Sequence, residues 1–496
     1  MSQFPLLSIL ILLPFFTGAA LCLMPAGRKN SAFFVAMVGS VITFLLSVLL
    51  WTQFDATNTA LQFVERFSWV SRLNIEYYLG VDGISVPLIL LSTITTIVIL
   101  VTADRATESY NMYLGMFLML EGILIGVFAA QDSILFYLFW ELSLVPLLLL
   151  VGIWGGENRK YAAIKFFLYT FLGSVLMLIA LIYLGSNSDT FAIADLTIKG
   201  IPQFYQQMLF IFFLIAFAIK IPMWPVHTWL PDAHVQAPTG GSVILAAVML
   251  KLGGYGLIRF NLPLFAGVSE TFALFVIVLS LIAIVYISFV ALNQDDMKSL
   301  IAYSSIAHMG FVTLGLFVIY LFKPFDAATA AMGVNGAVFQ MVSHGLISAA
   351  LFLAVGYLYK LTGTKKIKDF GGIARKAPVF SAFFVFFAFA NVALPGTSGF
   401  VGEFLVIIAS FRANFLIALV SALTMVLGAS YTLFMIKRVV FGSDTGRAVA
   451  MVKDIGVIDK FVYGLLAALV MLLGLSPSII IDVFQPVVEK IIKLAV

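Results

Sequence analysis

The sequence Lys220-Ile221-Pro222-Met223-Trp224-Pro225 places a lysine and two prolines inside one apolar segment, at about 208–229. Each proline removes a backbone hydrogen bond from a helix, and a broken helix at membrane depth is tolerated only where its freed carbonyl groups face protein or water. A second segment, at about 378–411, contains Pro395-Gly396 and two further glycines before Glu403. The two breaks predict an all-α polytopic membrane protein with two discontinuous helices.

The composition supports the same class of protein. Of the 496 residues, 62% are hydrophobic and only 10% are charged, whereas a soluble domain carries about 25% charged residues. Apolar segments of about 20 residues are long enough to cross a hydrocarbon core of about 30 Å. They predict fourteen transmembrane spans, at about 4–24, 31–51, 83–103, 112–130, 133–153, 161–184, 208–229, 239–260, 271–291, 299–321, 335–359, 378–411, 414–438 and 461–481.

The positions of the two breaks predict an internal repeat. They lie five spans apart, which is typical of two inverted five-helix units formed by spans 4–8 and 9–13. This interpretation divides the chain into N-terminal spans (1–111), a first repeat (112–260), a second repeat (261–440) and a C-terminal span with its tail (441–496).

The basic residues predict the orientation in the membrane. The connections after odd-numbered spans hold 17 lysines and arginines, and the opposite side holds 8. The positive-inside rule therefore places both termini on the periplasmic side and the 360–376 loop in the cytoplasm. We interpret that loop as a topology determinant, and a docking surface for a soluble partner is the alternative.

Several kinds of site are disfavoured. Cys22 is the only cysteine, which excludes an internal disulfide and a cysteine-based metal or iron–sulfur site. No glycine-rich phosphate loop follows a strand, so nothing predicts nucleotide or flavin binding. The net charge of +4 comes from loop lysines and gives no reason to expect nucleic acid as a partner.

Titratable side chains inside the spans point to the function. A charge at the bilayer centre costs about 2.5–3.5 kcal/mol, so such a residue usually faces the bundle interior and serves a function. The pattern favours movement of protons across the membrane. The eight residues are Glu121, Glu141, Lys165, Lys220, Lys251, His308, His344 and Glu403.

Lys220 and Glu141 form the first candidate pair. Lys220 precedes Pro222, where the helix loosens and water gains access. A lysine held between burial and a nearby carboxylate changes its protonation when the carboxylate moves. A static ion pair that fixes helix packing is the alternative, but buried pairs are weak stabilisers.

Lys251, His308, His344 and Glu403 extend this interpretation. Lys251 lies in the middle of its span beside Gly253-Gly254, and glycines allow helices to approach closely. Histidine titrates near neutral pH and suits proton relay, although a single membrane histidine is often only a hydrogen-bonding group. Glu403 follows the second break, and we interpret it as a site of exchange with the far aqueous side.

Four further residues are weaker candidates. Glu121 is either a second carboxylate of the first half-channel or a packing residue, and Lys165 lies close enough to a span end to reach the interface. His227 and His234 flank the connection between spans 7 and 8, where solvent contact makes a gating or structural role as reasonable as proton transfer.

Three longer motifs resemble the antiporter-like subunits of respiratory complex I, and the resemblance covers nearly the whole chain. Gln236 departs from the glutamate that many relatives carry, at a position interpreted as a loop. The motifs are His227-Thr228-Trp229-Leu230-Pro231-Asp232-Ala233-His234 continuing to Lys251-Leu252-Gly253-Gly254-Tyr255-Gly256, Asp296-Met297-Lys298-Ser299-Leu300-Ile301-Ala302-Tyr303-Ser304-Ser305 ending in His308-Met309-Gly310, and Gly399-Phe400-Val401-Gly402-Glu403-Phe404.

The resemblance implies a subunit of a proton-translocating NADH:quinone oxidoreductase in a bacterial inner membrane. Such a subunit carries no redox centre, because NADH, FMN, iron–sulfur clusters and quinone belong to partner subunits. Its neighbours would be N-type and L-type antiporter-like chains. It would move protons from the cytoplasm outward through Glu141 and Lys220 as an ion pair, Lys251 as exchange lysine, His308 and His344 as relay, and Glu403 as exit residue.

Other functions stay open at this point. The chain could be a D-type subunit of a cation/proton antiporter, although Glu403 argues against it. It could also be a non-pumping scaffold of the membrane arm, or part of a photosynthetic relative that uses ferredoxin instead of NADH.

Overall fold

Helices dominate the structure. A computed structural model describes residues 4–25, 27–322, 325–443 and 448–495. Within this part of the chain, thirteen helices are long and apolar enough to cross a membrane, which confirms the predicted class. They are Leu6–Leu23, Lys29–Gln53, Ser85–Thr102, Tyr110–Ala129, Ser133–Trp154, Arg159–Ser188, Gln203–Lys220, Thr239–Leu264, Ala266–Leu292, Met297–Leu321, Ala327–Thr362, Phe415–Val439 and Val457–Leu475.

The predicted span at 378–411 is divided into two short helices, Pro378–Asn391 and Ser398–Ala413. Between them, Ala393 has a φ of 60° and Gly396 a φ of 92°, in the left-handed region that ends helices. The described residues therefore hold thirteen long spans rather than fourteen, because this break leaves two pieces that are each shorter than a span.

The other predicted break is confirmed at Pro222. The helix Gln203–Lys220 ends two residues before it, and the chain resumes as the short helix Trp229–Gln236. Helical structure therefore stops at Lys220 and not at the predicted residue 229. Gln236 ends the short helix and is not a loop residue.

A β-hairpin is the main departure from the all-α prediction. Strand β1 (Gln62–Val70) pairs antiparallel with β2 (Ile75–Val81). Buried Glu65 of β1 accepts hydrogen bonds from the backbone N–H groups of Leu7 and Ser8 at 2.8 Å and 3.2 Å. A carboxylate is stabilised at a helix N-terminus, so this contact fixes the hairpin to the first helix.

The predicted tail is also helical. The span expected at 461–481 ends at Leu475, and a separate helix, Ser478–Ala495, follows. Its buried residues Phe484, Val488 and Ile492 recur every four positions and form one apolar face. Shorter 3-10 helices cover Ser71–Leu73, Ile193–Asp195, Val318–Leu321, Ile367–Asp369, Ile373–Arg375 and Val449–Met451.

The chain divides into two compact units. The first comprises the described residues up to Ile221, Val248–Phe272 and those from Asp482 onward. The second comprises Pro222–Ala247 and Ala273–Ile481. The four-part division expected from the sequence follows chain order and stays a prediction.

Matched local features support an internal repeat. Asp132 and Asp296 cap the helices that begin at Ser133 and Met297, each accepting hydrogen bonds from two backbone N–H groups. Each aspartate also forms an isolated β-bridge, to Ala192 and Lys366 respectively, directly before a 3-10 helix. A broken helix follows in each case, and each break has a non-glycine residue at positive φ, Pro222 in the first and Ala393 in the second.

Candidate functional site

The first unit holds the predicted pair of Glu141 and Lys220. Lys220 is the last residue of its helix, a favourable place for a cation, and it is only 2% exposed. Its Nζ lies 5.1 Å from the ring centroid of Trp140 and 6.0 Å from that of Phe166. Aromatic faces attract cations at these distances.

Glu141 and Lys220 interact electrostatically without direct contact. Among the described residues, Lys220 Nζ and Glu141 Oε1 have no hydrogen-bond partner, and no ion pair joins the two side chains. Buried polar groups are nearly always paired with protein or water. The Lys220 and Glu141 side chains therefore lie near enough to interact electrostatically but do not form an ion pair.

Lys251 is fully buried in the middle of the helix Thr239–Leu264. Two π-helical turns, Leu245–Met249 and Leu257–Asn261, flank the α-helical segment that carries it. Such turns occur frequently at functional sites. A Cβ at Gly253 would lie 2.6 Å from the carbonyl oxygen of Phe217, so this glycine permits close packing against the helix of Lys220.

Glu121 is fully buried in the first unit, on the helix Tyr110–Ala129. Neither of its carboxylate oxygens has a hydrogen-bond partner within the part of the chain that the structure describes. A buried, unpaired carboxylate is costly, which favours a functional role for Glu121 over packing alone.

The second unit brings together His308, His344 and Glu403. His308 Nδ1 and Glu403 Oε1 are 2.5 Å apart, and their side chains are 6% and 3% exposed. Gln340 Nε2 donates a hydrogen bond of 3.2 Å to the same carboxylate oxygen. The rings of His308 and His344 lie 5.8 Å apart between centroids. A proton donor, a carboxylate and a second imidazole thus lie in one buried cluster.

Glycines allow this cluster to form. Gly402 precedes Glu403, and a Cβ there would lie 2.6 Å from Gln340 Oε1 and 3.0 Å from Gln340 Cα. A Cβ at Gly336 would lie 2.9 Å from the Gly402 carbonyl oxygen. The helices Ala327–Thr362 and Ser398–Ala413 therefore approach closely enough for Gln340 to reach Glu403.

The weaker candidates Lys165, His227 and His234 differ in burial. Lys165 is partly exposed, with its Nζ 5.6 Å from the ring centroid of Tyr161. His227 and His234 are buried, which corrects the prediction of solvent contact. The His234 ring stacks on Phe352 at 4.4 Å, and this packing removes it from solvent.

Two buried basic residues were missed because both lie near predicted span ends and were counted as loop residues. Lys298 is 2% exposed, and its Nζ donates hydrogen bonds to the Ala237 carbonyl at 2.8 Å and to Ser242 Oγ at 3.2 Å. Arg259 forms two hydrogen bonds of 2.5 Å to Asp82. For Lys298, the signal available in the sequence was its position within a motif that carries the family resemblance, whereas Arg259 lies three residues beyond the end of one.

Asp82 lies just before the helix Ser85–Thr102, outside the span. Burial raises its pKa, but Arg259 and the backbone N–H groups of Ile84 and Ser85 lower it more, so the pKa of Asp82 is below its ordinary value. The pKa of Asp132, at the start of the helix that carries Glu141, is raised because of burial. Among the described residues, no group of three or more His, Cys, Asp or Glu is arranged to hold a metal ion.

Sequence comparisons place the chain among membrane subunits of respiratory enzymes. A family model described as "NADH:quinone oxidoreductase/Mrp antiporter, TM" matches residues 130–428, more than half of the chain. NADH-quinone oxidoreductase subunit M of Rhodobacter capsulatus is 46% identical over 98% of this chain and 96% of that protein. NADH-ubiquinone oxidoreductase chain 4 of Arabidopsis thaliana is 40% identical over 98% and 97%.

Solved structures share the fold. A chain of respiratory complex I from Thermus thermophilus with bound NADH matches with a TM-score of 0.88 at 30% identity, over 99% of this chain and 100% of that one. A chain of the Mrp complex from Dietzia sp. DQ12-45-1b matches with a TM-score of 0.87 at 19% identity, over 100% of both. At the lower identity the likeness shows the fold alone.

Proposed function

We propose that the buried titratable side chains of this protein form a proton pathway. The premise is that the chain belongs to the NADH:quinone oxidoreductase/Mrp antiporter transmembrane family and groups with its subunit M members. As such a member it is an antiporter-like, proton-translocating subunit of the membrane arm of complex I. It is multi-pass and part of a translocase. The residue roles are the part that we propose.

The observation that carries the proposal is the state of Lys220. A lysine that served only packing would be expected to hold a hydrogen-bonded partner, because an unpaired buried charge is strongly destabilising. Lys220 Nζ has none among the described residues, while Glu141 acts on it electrostatically and Trp140 lies beneath it. This arrangement suits a group that gains and loses a proton as Glu141 moves.

In the first unit, the Glu141–Lys220 distance would control the proton affinity of Lys251. When Glu141 approaches Lys220, it stabilises the charged ammonium there; when it withdraws, Lys220 releases its proton. The helix Thr239–Leu264 continues along the chain from the second unit into the first at residues 247–248. Its π-helical turns give Lys251 a backbone that can change register.

In the second unit, a hydrogen bond joins His308 Nδ1 and Glu403 Oε1, and Gln340 Nε2 donates to the same carboxylate oxygen. Among the described residues, His308 Nε2 has no hydrogen-bond partner, so it is available to a proton donor such as water. A proton accepted at Nε2 makes an imidazolium stabilised by Glu403, and release from Nδ1 passes a proton to the carboxylate. His344 extends the relay.

The energies are sufficient. Moving one charge against 100 mV costs about 2.3 kcal/mol, and one pKa unit corresponds to 1.36 kcal/mol. A switch of about two pKa units at one buried group therefore matches the work of moving one proton.

The surroundings of the chain are proposed from the family. NADH, FMN, iron–sulfur clusters and quinone would be bound by partner subunits, and N-type and L-type chains would be its neighbours. The membrane would be the bacterial inner membrane, and the positive-inside rule places both termini on its periplasmic side. Protons would then move outward. The family model covers NADH:quinone oxidoreductase and Mrp antiporter chains alike. The Mrp complex chain is 19% identical and the Rhodobacter capsulatus subunit M is 46% identical, so the relatives favour complex I.

The test is Lys220→Met in the assembled complex, with Lys160→Met as control, because Lys160 is exposed on the same unit. NADH-driven acidification of inverted membrane vesicles and quinone reduction are followed in one sample. We expect Lys220→Met to lose acidification while the complex stays assembled, and Lys160→Met to behave as wild type. Normal acidification and turnover in Lys220→Met would refute the proposed pathway.

A further inference from the structure

We propose that the buried pair of Arg259 and Asp82 is a positioning device that holds the π-helical turn Leu257–Asn261 and thereby sets the direction in which Lys251 points. The inference rests on the proposed function, because it assigns to this pair the alignment of a proposed proton carrier. Neither residue touches the proton pathway as described above, so both act through the helix that they hold.

The contact has the geometry of an anchor. Arg259 Nη1 and Nη2 donate to Asp82 Oδ2 and Oδ1, each at 2.5 Å, and Nη2 also donates to Ser85 Oγ at 3.2 Å. The side chains are 11% and 6% exposed. A two-pronged arginine–carboxylate contact fixes orientation as well as distance. Arg259 is thus held in one rotational position.

Tyr255 links this anchor to the segment that carries Lys251. Its hydroxyl donates to the Phe128 carbonyl oxygen at 2.9 Å and lies 3.0 Å from Ser85 Oγ. The Arg259 guanidinium lies 4.7 Å from the centroid of the Tyr255 ring. Residues four apart lie on one face of a helix, so fixing Tyr255 fixes the face on which Lys251 lies.

Asp82 is a rigid point of attachment. It follows strand β2 directly and precedes the helix Ser85–Thr102. Its Oδ1 accepts hydrogen bonds from the N–H groups of Ile84 and Ser85 at 3.0 Å and 3.2 Å. The neighbouring Gly83 packs so closely on the Val483 backbone that a Cβ would collide with it. An aspartate held in this way cannot follow Arg259 if the helix turns.

The π-helical turn explains why a buried ion pair is present at all. Replacing a buried pair with apolar residues is often neutral or stabilising, and the best-attested use of such pairs is to fix register. A π turn contains one residue more than an α turn, and each residue of an α-helix turns by about 100°. Loss of that extra residue would rotate Lys251 by about the same angle relative to Leu262–Leu264.

The same contacts would also be expected of an ion pair that only stabilises the fold, so the test must measure the helical register of Lys251. We would determine the structure of the assembled complex carrying Arg259→Met by electron cryomicroscopy and measure acidification per NADH oxidised. The matched control is Arg66→Met, which removes the exposed arginine of the 2.7 Å pair with Glu76 on the hairpin of the same unit.

We expect Arg259→Met to convert Leu257–Asn261 to an α turn, to rotate Lys251 by about 100°, and to lower acidification per NADH oxidised relative to Arg66→Met. If Arg259→Met does not assemble, the inference is tested with Tyr255→Phe, because this variant keeps the ring and removes only the hydroxyl contacts. We expect a partial rotation of Lys251 and lowered acidification in this variant. An unchanged π turn and Lys251 position in the variant that assembles would overturn the inference.

Failure of the proposed function would look different. If the proposed proton pathway is wrong, Lys251→Met, measured in parallel, will acidify the vesicles normally. This result does not depend on the helical register found in Arg259→Met. Normal pumping in Lys251→Met therefore refutes the pathway, whereas an unchanged register in Arg259→Met refutes only the role of the pair.

Discussion

Gly402→Ala adds one methyl group at the closest approach of the two helices that form the second buried cluster. The added Cβ would lie 2.6 Å from Gln340 Oε1, 2.9 Å from its Cβ and 3.0 Å from its Cα. The side-chain oxygen can move, but the Cα belongs to the backbone of the helix Ala327–Thr362. The two helices must therefore separate by several tenths of an ångström.

Two opposing effects decide the sign. Alanine stabilises a helix interior relative to glycine by about 0.5–1 kcal/mol, whereas forced overpacking costs about 1–3 kcal/mol. Separation also lengthens the 3.2 Å hydrogen bond from Gln340 to Glu403, and a hydrogen bond to a charged group is worth about 1.5–3 kcal/mol. We therefore expect net destabilisation of about 1–3 kcal/mol together with loss of Glu403 alignment.

The control is Gly464→Ala, on the helix Val457–Leu475 of the same unit, where a Cβ would meet no atom within 4 Å. Both variants are compared for thermal inactivation of the purified complex and for acidification per NADH oxidised. We expect Gly402→Ala to be inactivated at lower temperature and to acidify less, and Gly464→Ala to equal or exceed wild type. Equal behaviour of the two variants would refute the close-packing argument.

Two further predictions concern charge. Glu403→Gln keeps the shape of the side chain and its hydrogen bonds to His308 and Gln340, so we expect the complex to assemble fully and to lose acidification. The control is Glu270→Gln, because Glu270 is exposed. Normal acidification in Glu403→Gln would contradict the relay. Because the pKa of Asp82 is below its ordinary value, its contribution to stability is complete above that value, about 3.9, and is lost as pH falls through the lowered pKa. The thermal stability of wild type and of Asp82→Asn is therefore measured from pH 3 to 8. We expect the difference between them to stay constant until the pH falls below about 4. A difference that already fades near pH 6 would be inconsistent with the Arg259 contact.

The spans were predictable because hydropathy is a property of short local sequence. The Pro222 break was predictable for the same reason, since proline cannot donate a helical hydrogen bond. The hairpin was not, because β1 and β2 lie between apolar segments of much stronger signal. The tail helix was missed because the amphipathic repeat around Phe484 is partly charged and too polar for a span.

The candidate site was only partly predictable. The positions of Lys220, Lys251, His308 and Glu403 inside apolar segments marked them as candidates, and their roles stay predictions. Their hydrogen-bond geometry could not be predicted, since the 2.5 Å contact of His308 with Glu403 joins residues 95 positions apart. Burial of His234 could not be predicted either, because it depends on Phe352 from a distant helix.

The sequence by itself determined that this chain crosses a membrane many times, that two of its helices are broken, and that buried charges lie along it. These properties follow from the free energy of placing each segment in hydrocarbon, which is local. Only the tertiary structure decided which charges meet. It paired Arg259 with Asp82 across 177 positions and kept Lys220 apart from Glu141, because the distance between two side chains is set by the packing of helices that are remote in sequence.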